Sequence, residues 1–223
     1  MAFVDALFEG TAQLEGVLGK RAKRLEDILH MVQCRRAIPL IDLDCAMLRE
    51  QLHPDVLVDA RMRKRAIPEA LRGLAPITIG LGPNFVAGGN VDLAVETAWG
   101  ARLGTVLRRG STRALEGEPR ELGGYSRERF VYAEAAGSFR THMSVGDHVE
   151  RGEQVGQIGE VPVRAPLAGW LRGIAHDGAR VEQGTKVIEV DPREDGTSFQ
   201  SLGERPRRIA EGVLAALADA RIA

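Results

Sequence analysis

The sequence predicts an α/β unit built on a parallel sheet, followed by an all-β unit of two short antiparallel sheets and a C-terminal helix. Three observations carry this expectation. From residue 11 to 80, short aliphatic runs alternate with amphipathic stretches. Between Ala133 and Val190 the chain is written twice, at an offset of 32 residues. Beyond Pro206 it turns alanine-rich with a helical period. The expected division is 1–128, 129–192 and 193–223.

In the first unit, Gln13 to Leu18 is predicted as a strand and Leu25 to Gln33 as a helix. Ile38 to Asp42 follows as a strand, Cys45 to Gln51 as a helix, and Val56–Asp59 and Ile77–Leu81 as strands. Strands separated by helices imply parallel pairing, because a crossover helix returns the chain to the same end of the sheet.

In the repeat, Gly146, Val149, Glu150, Gly152 and Val155 return as Gly178, Val181, Glu182, Gly184 and Val187. Ala133, Ala136, Gly137 and Phe139 return as Ala165, Ala168, Gly169 and Leu171. Each copy has alternating apolar runs around a Gly-x-x-Val-x-x-Gly turn, the pattern of brief strands, and the duplication implies two sheets related by a pseudo-twofold. In the final helix Ile209, Val213 and Leu217 share a face, with Leu214 on its flank, so docking onto the body or a partner is expected.

Composition narrows the functional classes. The chain has 223 residues, 44% hydrophobic and 27% charged, and a net charge of -1. With 4% aromatics and basic clusters at 20–24 and 61–65 balanced by acids elsewhere, no nucleic-acid role is expected. No apolar run approaches the length of a membrane span, and the N-terminus lacks a basic leader and signal core, so no membrane association and a cytoplasmic location are expected. Cys34 and Cys45 lie at no zinc-like spacing and His30, His53, His142, His148 and His176 are scattered, so no metal site is expected and the thiols are read as buried or half-buried.

The chemically suggestive loops follow two predicted strands, where ligands of parallel sheets bind. Val56–Asp59 runs into Arg61, Arg63, Lys64 and Arg65; Ile77–Leu81 runs into a loop rich in glycine and proline. Candidate ligand-binding residues are Asp59, Lys64, Arg65, Gly80, Gly82, Pro83, Asn84, Gly88 and Gly89. Bare backbone amides there would suit an anion or a carbonyl, and a tight structural connection explains the glycines as well. Neither a P-loop nor a dinucleotide fingerprint is present. Glu96 and Asp59 are weak candidates for catalysis, with Asp92 weighed beside Glu96; the alternatives for Glu96 are a helix cap or an ion pair with Arg102. Whether the protein is an enzyme stays open.

The repeated unit resembles the barrel-sandwich hybrid of biotinyl and lipoyl carrier domains. Those carry a lysine at the hairpin joining the two repeats, but here the joining segment is Gln157 to Arg164 and no lysine lies between Lys64 and Lys186. No covalently bound cofactor is therefore expected, since a permanently protonated guanidinium is a poor nucleophile.

A second resemblance spans nearly the whole chain. The segments Val58 to Arg65, Ile79 to Gly88, Val95-Glu96-Thr97, Leu103 to Val106, Arg172-Gly173 and Lys186 to Arg193 resemble, in order and spacing, the YqeB-type accessory proteins of the selenium-dependent molybdenum hydroxylase system. This resemblance implies a factor that matures or handles the cofactor of a molybdenum hydroxylase, binding the client enzyme or, non-covalently, a molybdopterin-type cofactor. It departs from the family in three places. A Gly-x-Gly-Asp loop after a first strand is expected upstream of this chain, which is read as N-terminally truncated. Ala101 stands where the family pattern has a histidine, and Phe199 where it has a cysteine. A strand supplied by another copy would make a homo-oligomer. The alternatives to the accessory role are an enzyme acting on a small anionic metabolite between domains, and a non-catalytic subunit or scaffold.

Overall fold

A computed structural model of the chain describes residues 3–63, 66–114, 119, 121–193 and 202–220. It is mixed α/β, with several sheets and a C-terminal helix. The chain forms two compact units, and neither is contiguous: Met1–Ile41 joins Glu118–Ser201, and Asp42–Gly117 joins Leu202–Ala223. This differs from the division at 128 and 192, because the first 41 residues associate with the repeat and the final helix with the parallel sheet.

In the first unit, Thr11–Leu14 and Val17–Arg21 pair antiparallel, and Val17–Arg21 pairs parallel with Ile38–Leu40 across the helix Leu25–Cys34. The single strand expected over Gln13 to Leu18 is thus a hairpin. Leu14 faces Val17, leaving Glu15 (φ 46) and Gly16 (φ 82) as a two-residue turn with both backbones left-handed. The expected single parallel sheet is likewise two separate sheets, one in each unit. The side chain of Asp27 accepts from the N–H groups of Lys23 and Arg24, both at 3.0 Å, closing the start of the Leu25–Cys34 helix.

The duplicated segment folds into two four-stranded antiparallel sheets whose hydrogen bonds repeat at the sequence offset. Gly152 N–H donates to the Ala165 carbonyl and Gly184 N–H to the Ala133 carbonyl, each at 2.8 Å. Gly146 donates to Leu171 and Gly178 to Phe139, again both at 2.8 Å. Each copy therefore completes the other. Strand His148–Val149 of the first copy pairs with Gly169–Ile174 of the second, while Arg180–Val181 of the second pairs with Gly137–Arg140 of the first. The core is built from equivalent residues: Phe139 and Leu171, Val149 and Val181, Val155 and Val187, Ile158 and Val190 are all buried. Gly152 (φ 83) and Gly184 (φ 82) turn the chain where an L side chain would be strained.

In the second unit, Val56–Asp59, Ile77–Leu81 and Leu93–Val95 run parallel, and Val106–Leu107 closes the sheet antiparallel. Parallel strands need cover on both faces. On one face Ile79, Leu81, Val95 and Leu103 meet Ile209 and Ala216 of the helix Glu204–Ala220, with Val213 and Leu217 alongside. On the other, Leu71, Phe85, Ala87, Val91, Ala94 and Leu107 form a second cluster. Burying each large aliphatic side chain contributes roughly 1.5–3 kcal/mol. The apolar stripe of the final helix therefore docks on its own chain, which places that helix in this unit. Asp44 caps the helix Cys45–Leu52 by accepting from Ala46 N–H at 2.9 Å and Met47 N–H at 3.1 Å.

Candidate functional site

The register of the parallel strands sets Asp59 beside Gly80, Gly80 beside Ala94, and Leu81 beside Val95. Asp59, the Gly82–Asn90 loop and Glu96 thus share the carboxyl ends of adjacent strands, as the sequence predicts. Lys64, Arg65 and Phe199 lie outside the described residues.

Asp59 is buried, with 6% of its surface exposed. Its Oδ1 accepts from the N–H of Arg61 at 3.0 Å, and its Oδ2 accepts from Arg61 Nη2 at 2.6 Å. Glu69 in turn lies 3.2 Å from Arg63 and 3.6 Å from Arg61. Burial pushes the Asp59 carboxyl up, but the Arg61 side chain and N–H outweigh it, and the net displacement is below the usual carboxylate range. The group is held as an anion of lowered proton affinity, poorly matched to a general base working at neutral pH.

Glu96 is fully buried. Its Oε1 accepts from the N–H groups of Thr97 at 2.8 Å and Ala98 at 2.9 Å, and its Oε2 accepts from Arg113 N–H at 2.9 Å. These bonds tie the loop after Leu93–Val95 to the chain after the Gly110–Ser111 strand. Glu96 is a backbone anchor here, in place of the helix cap or Arg102 pair considered from the sequence. Asp92 is a latch of the same kind: it accepts from Thr78 N–H at 2.9 Å, Thr78 Oγ1 at 2.7 Å and Arg72 Nε at 3.0 Å.

The glycine-rich loop is packed. A Cβ on Gly80 would sit 2.2 Å from the Phe85 ring, and one on Gly82 would sit 3.0 Å from Thr112. Five of its amides are engaged within the chain. Gly82 N–H donates to the Val95 carbonyl at 3.0 Å, Phe85 N–H to Thr112 Oγ1 at 3.1 Å and Val86 N–H to Asn90 Oδ1 at 2.8 Å. Gly88 N–H donates to Val91 at 2.8 Å and Gly89 N–H to Val86 at 3.0 Å. Pro83 is buried after a cis bond from Gly82, while Asn84 is half-buried with a left-handed backbone (φ 68). Gly88 and Gly89 are exposed. These five amides of the anticipated anion cradle are therefore used internally and do not offer their protons to the phosphate of a molybdopterin-type cofactor.

Several residues that organise the region were missed in the sequence. Thr97 Oγ1 donates to the Gly82 carbonyl at 3.0 Å, and Arg205 Nε donates to the Thr97 carbonyl at 2.8 Å. Thr112 bonds Phe85 on both sides. A buried threonine carries no local signature, and Arg205 is more than a hundred residues from its acceptor. Elsewhere, Cys34 and Cys45 are exposed, contrary to the expectation of buried thiols. Among the described residues no group of three or more His, Cys, Asp or Glu is placed to hold a metal ion. No described helix is long and apolar enough to cross a membrane.

No protein-family model matches the chain. Over 218 residues it is 35% identical to the uncharacterized protein YqeB of Escherichia coli (strain K12), an alignment covering 97% of this chain. Over nearly its whole length, the chain is similar to YqeB. It spans 40% of that protein's length. Among solved structures, it overlaps the product-bound ectoine utilization protein EutE (DoeB) of Ruegeria pomeroyi at 22% identity and a TM-score of 0.27, over 38% of this chain and 27% of that one. The succinylglutamate desuccinylase/aspartoacylase of Rhodobacter sphaeroides overlaps at 21% identity and 0.27, over 63% of this chain and 54% of that one. Scores this low transfer neither fold nor activity.

Proposed function

We propose that the chain is a cytoplasmic accessory factor in the maturation of a molybdenum hydroxylase, acting by binding its client enzyme. Two lines support the reading: the YqeB-type motif set with its matching 35% identity over 218 residues, and the state of the candidate acids. The second carries the choice of binding over turnover. Asp59 is clamped by Arg61 and Glu96 is bonded to three backbone amides, so both carboxylates are engaged in holding the chain. The filled hydrogen bonds of the glycine-rich loop favour the client over a molybdopterin-type cofactor as the ligand. The repeat, in this reading a lysine-free relative of the biotinyl and lipoyl sandwich, presents a docking surface for the client. A strain deleted for the gene tests the role. Molybdenum hydroxylase activity and the metal content of that enzyme fall together if the reading holds; normal values for both contradict it.

A further inference from the structure

His176 is held between two acceptors. Its Nε2 lies 2.9 Å from Glu9 Oε1 and its Nδ1 lies 2.7 Å from the Asp177 carbonyl oxygen. A carboxylate and a carbonyl can only accept, and a neutral imidazole has one N–H to donate. Both bonds form together only when the ring carries two N–H groups, that is, as imidazolium. Phe8 stacks on the same ring, with centroids 4.1 Å apart and planes inclined by 12°.

The internal repeat supplies a control within the molecule. Ser144 occupies the place of His176 in the first copy. There the Asp147 N–H donates to the Ser144 carbonyl at 3.2 Å, just as the Ala179 N–H donates to the His176 carbonyl at 3.0 Å. The turn forms with serine, so the imidazole is not needed to build it. What the imidazole adds is contact with Phe8 and Glu9.

Those two residues belong to the helix Ala6–Glu9, which is fastened to the first sheet. Ala6 is fully buried, and Arg21 N–H donates to the Gly10 carbonyl at 2.9 Å. The other charged groups facing the ring come from its own turn and the neighbouring strand. Asp177 accepts from Thr141 N–H at 3.0 Å and lies 3.3 Å from Arg140 Nη1. Glu9 lies against the ring, while the Asp177 carboxylate is engaged by Thr141 and Arg140.

We propose that His176 is a pH-sensitive latch, holding the helix Ala6–Glu9 and its hairpin to the repeat when the imidazole is charged and loosening them when it loses a proton. Histidine is the side chain whose charge changes between about pH 5 and 8. The latch closes when the ring is protonated and opens when it is neutral.

Amide exchange on the full chain tests it, read at Ala6 to Gly10 at pH 6 and pH 8.5 and corrected at each pH for intrinsic exchange. Protection should fall on the alkaline side by up to about fivefold, the scale of an exposed ion pair. His176→Ser, which installs the residue of the equivalent turn, should give the lower protection at both values. Ring nitrogen shifts should report imidazolium where the helix is protected and the neutral ring where it is loosened. Amides of Val155 and Leu171 report whether the variant is folded; if they lose protection, Glu9→Gln takes its place, with the same loss of pH dependence expected. Protection in the wild type that does not change with pH, or pH dependence that survives in the folded variant, overturns the proposal.

Discussion

Gly212 of the final helix lies against Gly104 so closely that a Cβ on Gly212 would stand 2.3 Å from the Gly104 carbonyl oxygen. The same atom would lie 2.8 Å from Val95 Cγ1. Helix propensity alone favours alanine over glycine by roughly 1 kcal/mol. The backbone oxygen cannot yield as a flexible side chain would, so Gly212→Ala should destabilise the protein by about 1–3 kcal/mol despite that propensity. Urea denaturation measures it, and the exposed Ala210→Gly in the same helix should cost about 1 kcal/mol by propensity alone.

Gly80→Ala should act through Phe85. The added methyl would overlap the ring, which fills the space above Gly80, so a loss of about 1–3 kcal/mol is expected. Because Phe85→Ala vacates the same space, the two changes should be strongly non-additive in a double-mutant cycle. Additive losses would mean that the ring does not rest on Gly80.

Glu96→Gln retains shape but sets an NH2 group against a backbone N–H that now donates to a carboxylate oxygen. We expect a loss of roughly 2–4 kcal/mol, since the Glu96 side chain is buried and one donor is left facing another. The effect belongs to stability: client binding per folded molecule, measured by calorimetry, should be unchanged.

Acid sensitivity should centre on Glu189. Burial pushes its carboxyl up, but Lys186 at 2.6 Å, Arg129 at 2.5 Å and Arg172 outweigh it and hold the group at about 2 instead of the ordinary 4.5. The folded-state value is depressed, so the unfolded chain binds the proton more readily. The stabilisation is therefore full above about pH 4.5 and is lost as pH falls toward 2, roughly 3 kcal/mol in all. Denaturation of Glu189→Gln against wild type should show a gap at pH 7 that narrows by pH 3.

Local pattern was enough for elements whose identity lies in their own residues. Val56–Asp59 and Ile77–Leu81 fall where their apolar runs place them, and the repeat was legible because each core position appears twice, as with Phe139 and Leu171. The hairpin was missed because Glu15-Gly16 interrupts one apolar run by only two residues. The division of the chain was missed because Ile209 and Ala216 meet Val95 and Leu103 across the whole repeat unit. For the candidate site, strand ends predicted where Asp59 and Glu96 would gather. Their roles were hidden because the partners are backbone amides or a neighbouring guanidinium, such as Arg113 N–H, seventeen residues from Glu96.

If the protein works by holding a client enzyme, the two should be recovered together. Native mass spectrometry of the tagged protein, purified gently from its own host with molybdenum and pterin assayed on the same sample, tests it most directly. A complex of fixed mass containing a molybdenum hydroxylase is expected. A protein that emerges bare, or bound to an unrelated small metabolite, would contradict it.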